Sequence, residues 1–195
     1  MCGRYFLNIA LDELENRYGI SNIPEEIKEY QGEIFPSNEA PVVFNKAQKK
    51  SIGLMNWGFR PSYSNSLVIN ARSETVHQKN LFKESFHRRR CIIPATGFYE
   101  WKKVADKKVK HFIDIQSEDT ISLAGIYDYF SINGKEQLAF CILTKDAPQE
   151  LINIHDRIPV IIKKEAEEEW LAEKFTPGIF DLLDPKGFTF QAETV

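Results

Sequence analysis

Cys2, directly behind the initiator Met1, is the residue in this chain with the most unusual chemical potential. Removal of Met1 would leave Cys2 as the N-terminus, with an α-amine and a thiol on adjacent carbons. That pair captures an aldehyde as an imine and then closes a five-membered thiazolidine, which an internal cysteine cannot do. An α-amine titrates near 7.7–8.0, against about 10.4 for a lysine, so a useful fraction is nucleophilic at neutral pH. The thiol attacks as its thiolate, which a neighbouring cation or base would favour. The plainer reading of Cys2 is a small apolar residue opening a strand, and taken alone it is the better one.

Three further segments place polar, chemically able residues inside apolar strands or tight turns: Ile69–Thr75, Ile92–Trp101 and Ile154–Val160. Glu100 lies between Tyr99 and Trp101, where desolvation by the rings would raise its pKa toward the range useful for proton transfer. Alternation along a strand equally permits an outward-facing Glu100, and spacing alone slightly favours that. His155, followed by Asp156 and Arg157, sits in a break between an expected apolar helix and an apolar strand. It is a candidate proton shuttle, or else a core histidine bonded to backbone. Asn70 and Arg72 share one face if they are on a strand. Arg72 could hold a phosphate and Asn70 a hydroxyl, or Arg72 could form a strand-end salt bridge to Glu74. Trp57 and Phe59 offer aromatic faces, at least one of which core packing would absorb. His77, His87 and His111 stand in polar surroundings and carry little signal.

The elements that must position these groups are short. A helix is expected over 9–18, with Asn8 as cap and Gly19 as terminator. A loop with Pro24, Gly32, Pro36 and Pro41 follows. Strands are expected over 41–45, 51–57, 66–70, 90–93, 97–103, 109–115, 121–129 and 137–143, with Asn133-Gly134 as a hairpin turn. Helices are expected again over 79–86, 147–153 and 164–173, Pro148 suiting the first turn of its helix. Many short strands with few helices, and no βαβ alternation, imply an α+β fold: a mostly antiparallel, curved or barrel-like sheet with a few peripheral helices.

The chain of 195 residues reads as one domain, residues 1–195, able to build a core without staples. No apolar stretch is long enough to span a membrane, and the N-terminus is not a secretory signal. The three cysteines, at 2, 91 and 141, have neither disulfide-framework nor zinc spacing. They fit a reducing cytoplasm and no metal site, with Cys91 and Cys141 as buried thiols. No phosphate-binding glycine loop or nucleotide fingerprint is present. The net charge of −3 argues against a general nucleic-acid coat protein. It leaves room for a local basic groove, and Arg88-Arg89-Arg90 and the lysine-rich stretch 102–110 concentrate positive charge.

Taken together, the segments resemble the SOS-response-associated peptidase (SRAP) family. The similar pieces are CGRY at 2–5, WG at 57–58, NARSET at 70–75, RRCIIPATGFYEW at 89–101, AGIY at 124–127, LT at 143–144 and HDRIPVI at 155–161. They run in order over nearly the whole chain. The segment GEIF before Pro36, and Phe59-Arg60-Pro61 after Trp57-Gly58, depart from the family's pattern. The resemblance implies a sensor and shield of abasic sites in single-stranded DNA, acting through a covalent thiazolidine crosslink. Cys2 would be the crosslinking nucleophile, Glu100 the catalytic carboxylate, Asn70 a polar residue lining the pocket and His155 the proton-transfer residue near the sugar. Arg4, Arg72, Thr144 and Arg157 match positions that hold phosphates, and Trp57 matches an aromatic that contacts bases. No metal or organic cofactor is needed for this chemistry. The expected state is a monomeric, stand-alone cytoplasmic domain without a long C-terminal tail, nucleoid-associated when on DNA. A cysteine peptidase or autoprotease using Cys2, His155 and Glu100 is the alternative, and a non-catalytic single-stranded DNA-binding module is a second.

Overall fold

The structure is a computed structural model that describes residues 2–21, 23–27, 31–116, 118–132, 134–184 and 186–195. In chain order the elements are β1 (Tyr5–Asn8), α1 (Leu11–Tyr18), β2 (Gln31–Ile34), β3 (Glu39–Lys46), β4 (Lys49–Trp57), β5 (Asn70–Arg72) and α2 (Lys83–Arg88). They continue with β6 (Arg90–Ala95), β7 (Gly97–Val104), β8 (Lys107–Ile115), β9 (Ile121–Ile132) and β10 (Lys135–Asp146). The last are β11 (Arg157–Pro159), β12 (Ile161–Ile162), α3 (Glu167–Leu171) and β13 (Phe190–Thr194).

Strands β10, β4, β3, β6 and β9 pair in sequence and β9 pairs back onto β10, closing a five-stranded barrel. A second sheet runs β13-β8-β7-β1-β2 and is antiparallel throughout. Among the described residues only the pairings of β10 with β4 and with β5 are parallel. This is the α+β, mostly antiparallel and barrel-like architecture that the short strands imply.

Alternation along the barrel strands divides their side chains between two cores. Ile92, Val43, Cys141 and Leu143 join Leu14 and Tyr18 of α1, Phe86 of α2 and Trp170 of α3. Their neighbours Cys91, Ile93, Val42, Phe140 and Ile142 join Tyr5, Leu7, Phe98 and Ile113 of the second sheet, together with Cys2. Every residue of β6 is buried, because that strand faces both cores. Full burial of Cys91 and Cys141 agrees with their reading as structural thiols.

The expected helix over 9–18 begins at Leu11. Asn8 is drawn into β1, its N–H donating to Thr96 Oγ1 at 2.9 Å, and Glu13 accepts from the Ala10 N–H instead. Gly19 ends the helix in the left-handed conformation, φ 63°, which glycine adopts without a Cβ penalty. The segment 147–153 forms successive turns rather than a helix. Leu151 and Ile152 donate to Pro148 O, but the stretch is too short to propagate before the chain turns back into β11. The expected helix over 79–86 is a turn followed by α2, and that over 164–173 is a 3₁₀ turn, Lys164–Ala166, leading into α3. Of the strand expected over 66–70, Val68 makes only an isolated bridge to Phe59 before β5 starts. Strands β1, β2, β5, β11, β12 and β13 are too short to show a period in sequence. Asn133 lies outside the described residues. No helix among the described residues is long and apolar enough to cross a membrane.

Candidate functional site

The N-terminal residues meet the start of β7 through sheet register. Tyr5 pairs with Phe98, and Tyr99 N–H donates to Arg4 O at 2.9 Å. Continuing that antiparallel register by two residues brings Gly3, and so Cys2, alongside Glu100. The Cys2 side chain is fully buried and its thiol lies 3.6 Å from Arg4 O. From the barrel side, Asn70 at the start of β5 donates its Nδ2–H to Cys2 O at 2.8 Å. Asn70 can do so because β5 pairs with β10 in the register Ile142–Asn70, which turns Ala71 into the core and Asn70 away from it. Asn70 Oδ1 is also buried, and no described residue hydrogen-bonds it. A buried acceptor left open in this way costs free energy unless a ligand satisfies it.

Glu100 is 2% exposed. Burial pushes its carboxyl from the ordinary 4.5 up to about 7, outweighing the opposing pull of the amino terminus, and the Asp156 charge adds to the rise. His155 Nε2 lies 3.8 Å from Glu100 Oε2. Its Nδ1 accepts the Arg157 N–H at 3.0 Å, and Asp156 Oδ1 stands 2.9 Å away. The Arg157 N–H and the Asp156 carboxylate both approach Nδ1, while Nε2 faces Glu100. Burial lowers the His155 pKa, partly opposed by Asp156, so the neutral ring is favoured at pH 7. Burial, followed by the nearby Glu100 charge, raises the Cys2 thiol well above its ordinary value. Glu100 and His155 line an open cleft of about 590 Å³ with Trp101, Lys103, Lys108 and Ile154.

The structure therefore brings Cys2, Asn70, Glu100 and His155 to one place. Arg4 lies beside them, its guanidinium donating to Glu33 at 3.0 Å and packed over the rings of Phe35 and Trp101. Arg72 is exposed at the end of β5. The remaining expected contacts are corrected by burial and pairing. Trp57 has no exposed surface: its indole N–H donates to Ile69 O, and the ring stacks on Phe140 within the core. It cannot present a face to a base. Thr144 is equally buried, its carbonyl accepting from Ser73 N–H and from Arg157 Nη2. Arg157 spends its guanidinium on Glu74, bidentately at 2.7 and 2.9 Å, and on Asp146 at 2.6 Å. The carboxylate partner considered for Arg72 is thus taken by Arg157, which ties the His155 turn to β10 rather than holding a phosphate.

Sequence reasoning passed over Trp101, Lys103 and Lys108 as site residues. The signal was present in the lysine-rich stretch 102–110, which is the β7–β8 hairpin, but only cross-strand register shows that Lys103 and Lys108 border the Glu100 cleft. Among the described residues no cluster of three or more His, Cys, Asp or Glu side chains is arranged to hold a metal ion.

The geometry can be set beside known proteins. The chain is similar to the abasic site processing protein YoqW of Bacillus subtilis (strain 168), 33% identical over 195 residues, covering 95% of this chain and 87% of that protein. It is similar to the abasic site processing protein YedK of Escherichia coli (strain K12), 30% identical over 185 residues, covering 90% of this chain and 82% of that one. A crystal structure of a protein from Bacteroides thetaiotaomicron superposes with a TM-score of 0.87 at 26% identity, covering all of this chain and 92% of that one. A family model described as SOS response associated peptidase (SRAP) matches residues 1–194, and the chain belongs to that family.

Proposed function

We propose that this protein processes abasic sites in single-stranded DNA by forming a covalent thiazolidine through Cys2 after an aminopeptidase has removed Met1. The observation that carries this reading is the convergence on Cys2. Its carbonyl is held by Asn70, and Glu100 is close enough to raise its thiol. The names of the curated relatives, abasic site processing proteins, support the substrate class.

Each step has a residue that fits it. In the closed abasic sugar one proton leaves the C1′ hydroxyl and one arrives on the ring oxygen, relayed through the Glu100–His155 pair as the aldehyde opens. The Cys2 α-amine adds to C1′ to give a carbinolamine, which loses water to form the imine. Glu100, poised near pH 7, takes the thiol proton as sulfur adds to the imine carbon, and the nitrogen is protonated. The net change is aldehyde plus aminothiol to thiazolidine plus water, with no oxidant or metal. The open Asn70 Oδ1 accepts a hydrogen bond from a sugar hydroxyl. Holding amine, thiol and aldehyde together replaces encounters with intramolecular steps, for which effective molarities reach about 10⁵ M or more.

The test is incubation of the purified protein, its N-terminus checked by intact mass, with an abasic single-stranded oligonucleotide. A heat-stable shifted band is expected for wild type and none for Cys2→Ala. Crosslinking by Cys2→Ala at the wild-type rate would overturn the proposal, and accumulation of a peptide acyl-thioester would favour the peptidase reading.

A further inference from the structure

The β7–β8 hairpin carries two exposed lysines directly opposite one another, Lys103 and Lys108. Like charges at opposed positions destabilise a sheet. Among the described residues neither lysine has an ion-pair partner, whereas Lys110, one pair further along the same face, is neutralised by Glu33 at 2.6 Å. Trp101, opposite Lys110, lies on that face, and both free lysines line the open cleft that Glu100 and His155 also border. The tip is a two-residue turn, Ala105-Asp106, with Ala105 at φ 51°, a conformation that L-residues rarely adopt. A second hairpin, β3–β4, also opposes two lysines, Lys46 and Lys49, but α3 and its following loop approach that tip with acidic side chains. Glu173 accepts from Gln48 N–H, and Glu168 pairs with Lys50. In a chain of net charge −3, the β7–β8 tip is therefore a concentrated positive site aimed at the reactive cleft.

We propose that Lys103 and Lys108 form a phosphate clamp for the DNA strand flanking the reacting sugar, setting affinity and salt dependence and taking no part in bond formation. The inference rests on the reading of the cleft as an abasic-DNA site. Lys103 is three residues, roughly 10 Å, along β7 from Glu100. That reach suits the phosphate of a neighbouring nucleotide rather than the abasic sugar itself. Trp101, part-exposed between clamp and cleft, supplies a face on which the intervening base stacks.

The experiment compares wild type, the double variant Lys103→Gln/Lys108→Gln and the control Lys46→Gln/Lys49→Gln. The probe is a fluorescent single-stranded oligonucleotide carrying a tetrahydrofuran abasic analogue, which has no aldehyde. Each single-strand phosphate contact contributes about 0.7 to the slope of log affinity against log salt, so the clamp variant should lose about 1.4 and bind roughly 10-fold more weakly at low salt. Each single variant should lose about half of that slope change, and the control should match wild type. With true abasic DNA at saturation, the clamp variant should form adduct at the wild-type rate. A clamp variant whose slope equals the control's, or whose saturated adduct rate falls, overturns the proposal. If wild type forms no adduct but the clamp slope still drops, the clamp stands and the Cys2 chemistry falls.

Discussion

Glu100 and Glu167 are both nearly buried, at 2% and 4% exposure, yet they are held in opposite ways. Glu167, at the start of α3, receives Arg17 on both oxygens, at 2.6 and 2.8 Å, and the Ser122 hydroxyl at 2.6 Å. Tyr18 completes the cluster through Ser122 at 2.9 Å. Glu100 faces an imidazole at 3.8 Å and an open cleft, and burial lifts its pKa to about 7. A buried carboxylate locked to a guanidinium is a structural joint, here fastening α1 and α3 to β9. Glu100 has no such bidentate guanidinium, and a carboxyl raised to about 7 is poised to exchange a proton. The same residue type at the same depth thus does different work according to whether a bidentate guanidinium shares its pocket.

Breaking the joint should give the largest effect. Glu167→Ala leaves the part-buried Arg17 charge without its partner, and removal of one member of a buried pair costs up to about 3–5 kcal/mol. Urea unfolding should show that loss, while the protein that remains folded should react with abasic DNA at the wild-type rate. A loss below about 1 kcal/mol would mean that Arg17 finds water instead.

Glu100→Gln should act in the reverse sense. The folded carboxyl is raised above its ordinary 4.5 to about 7, so its contribution to stability is fully present below pH 4.5 and is lost as pH rises through 7. Glutamine carries no charge to desolvate. The variant should therefore be more stable than wild type at pH 8 by up to about 3 kcal/mol, with the difference vanishing near pH 4.5. Its adduct rate should fall about 10²–10⁴-fold, the usual range for a lost general acid or base. In wild type the rate should decline as pH falls through about 7, where Glu100 takes up its proton. A flat pH profile together with an unchanged variant rate would remove Glu100 from the relay.

The smallest change probes the link between the two kinds of site. Arg157 is itself a lock, on Glu74 and Asp146, and its backbone N–H orients the His155 ring. Arg157→Lys keeps the charge but loses the bidentate fork. A cost of about 1–2 kcal/mol is expected by thermal unfolding, with a few-fold slower adduct step and unchanged DNA affinity. Weakened DNA binding with a normal adduct rate would instead restore the phosphate role suggested by sequence.

How much could be read in advance depended on the range of the interaction concerned. Cys2 and Gly19 act through their own covalent or backbone properties, so their potential was visible. Asn70, Glu100 and His155 were visible as polar residues set in apolar runs, and the family resemblance assigned them roles. Whether Trp57 lies in the core or at the surface could not be read from its aromatic neighbourhood. Register decides it: β4 delivers Trp57 against Tyr5 and Phe140, and β7 leaves Trp101 at the cleft. The resemblance implied a phosphate role for Arg157, and its partner Glu74, 83 residues away, could not be seen in the sequence. Nothing local to the acidic stretch 165–169 marks Glu167 as buried, yet it reaches Arg17 from 150 residues away.

The amino-acid sequence by itself determined the reactive inventory, the succession of short strands and turns, and the family. Only the tertiary structure decided which glutamate is poised, which arginines are locked, which tryptophan is exposed and which lysines stand together unneutralised. Side-chain chemistry and turn conformation are local properties carried by a residue and its neighbours. Desolvation and charge neutralisation depend on groups brought close by strand pairings across much of the chain, and those set the pKa of Glu100 and the availability of every cation around it.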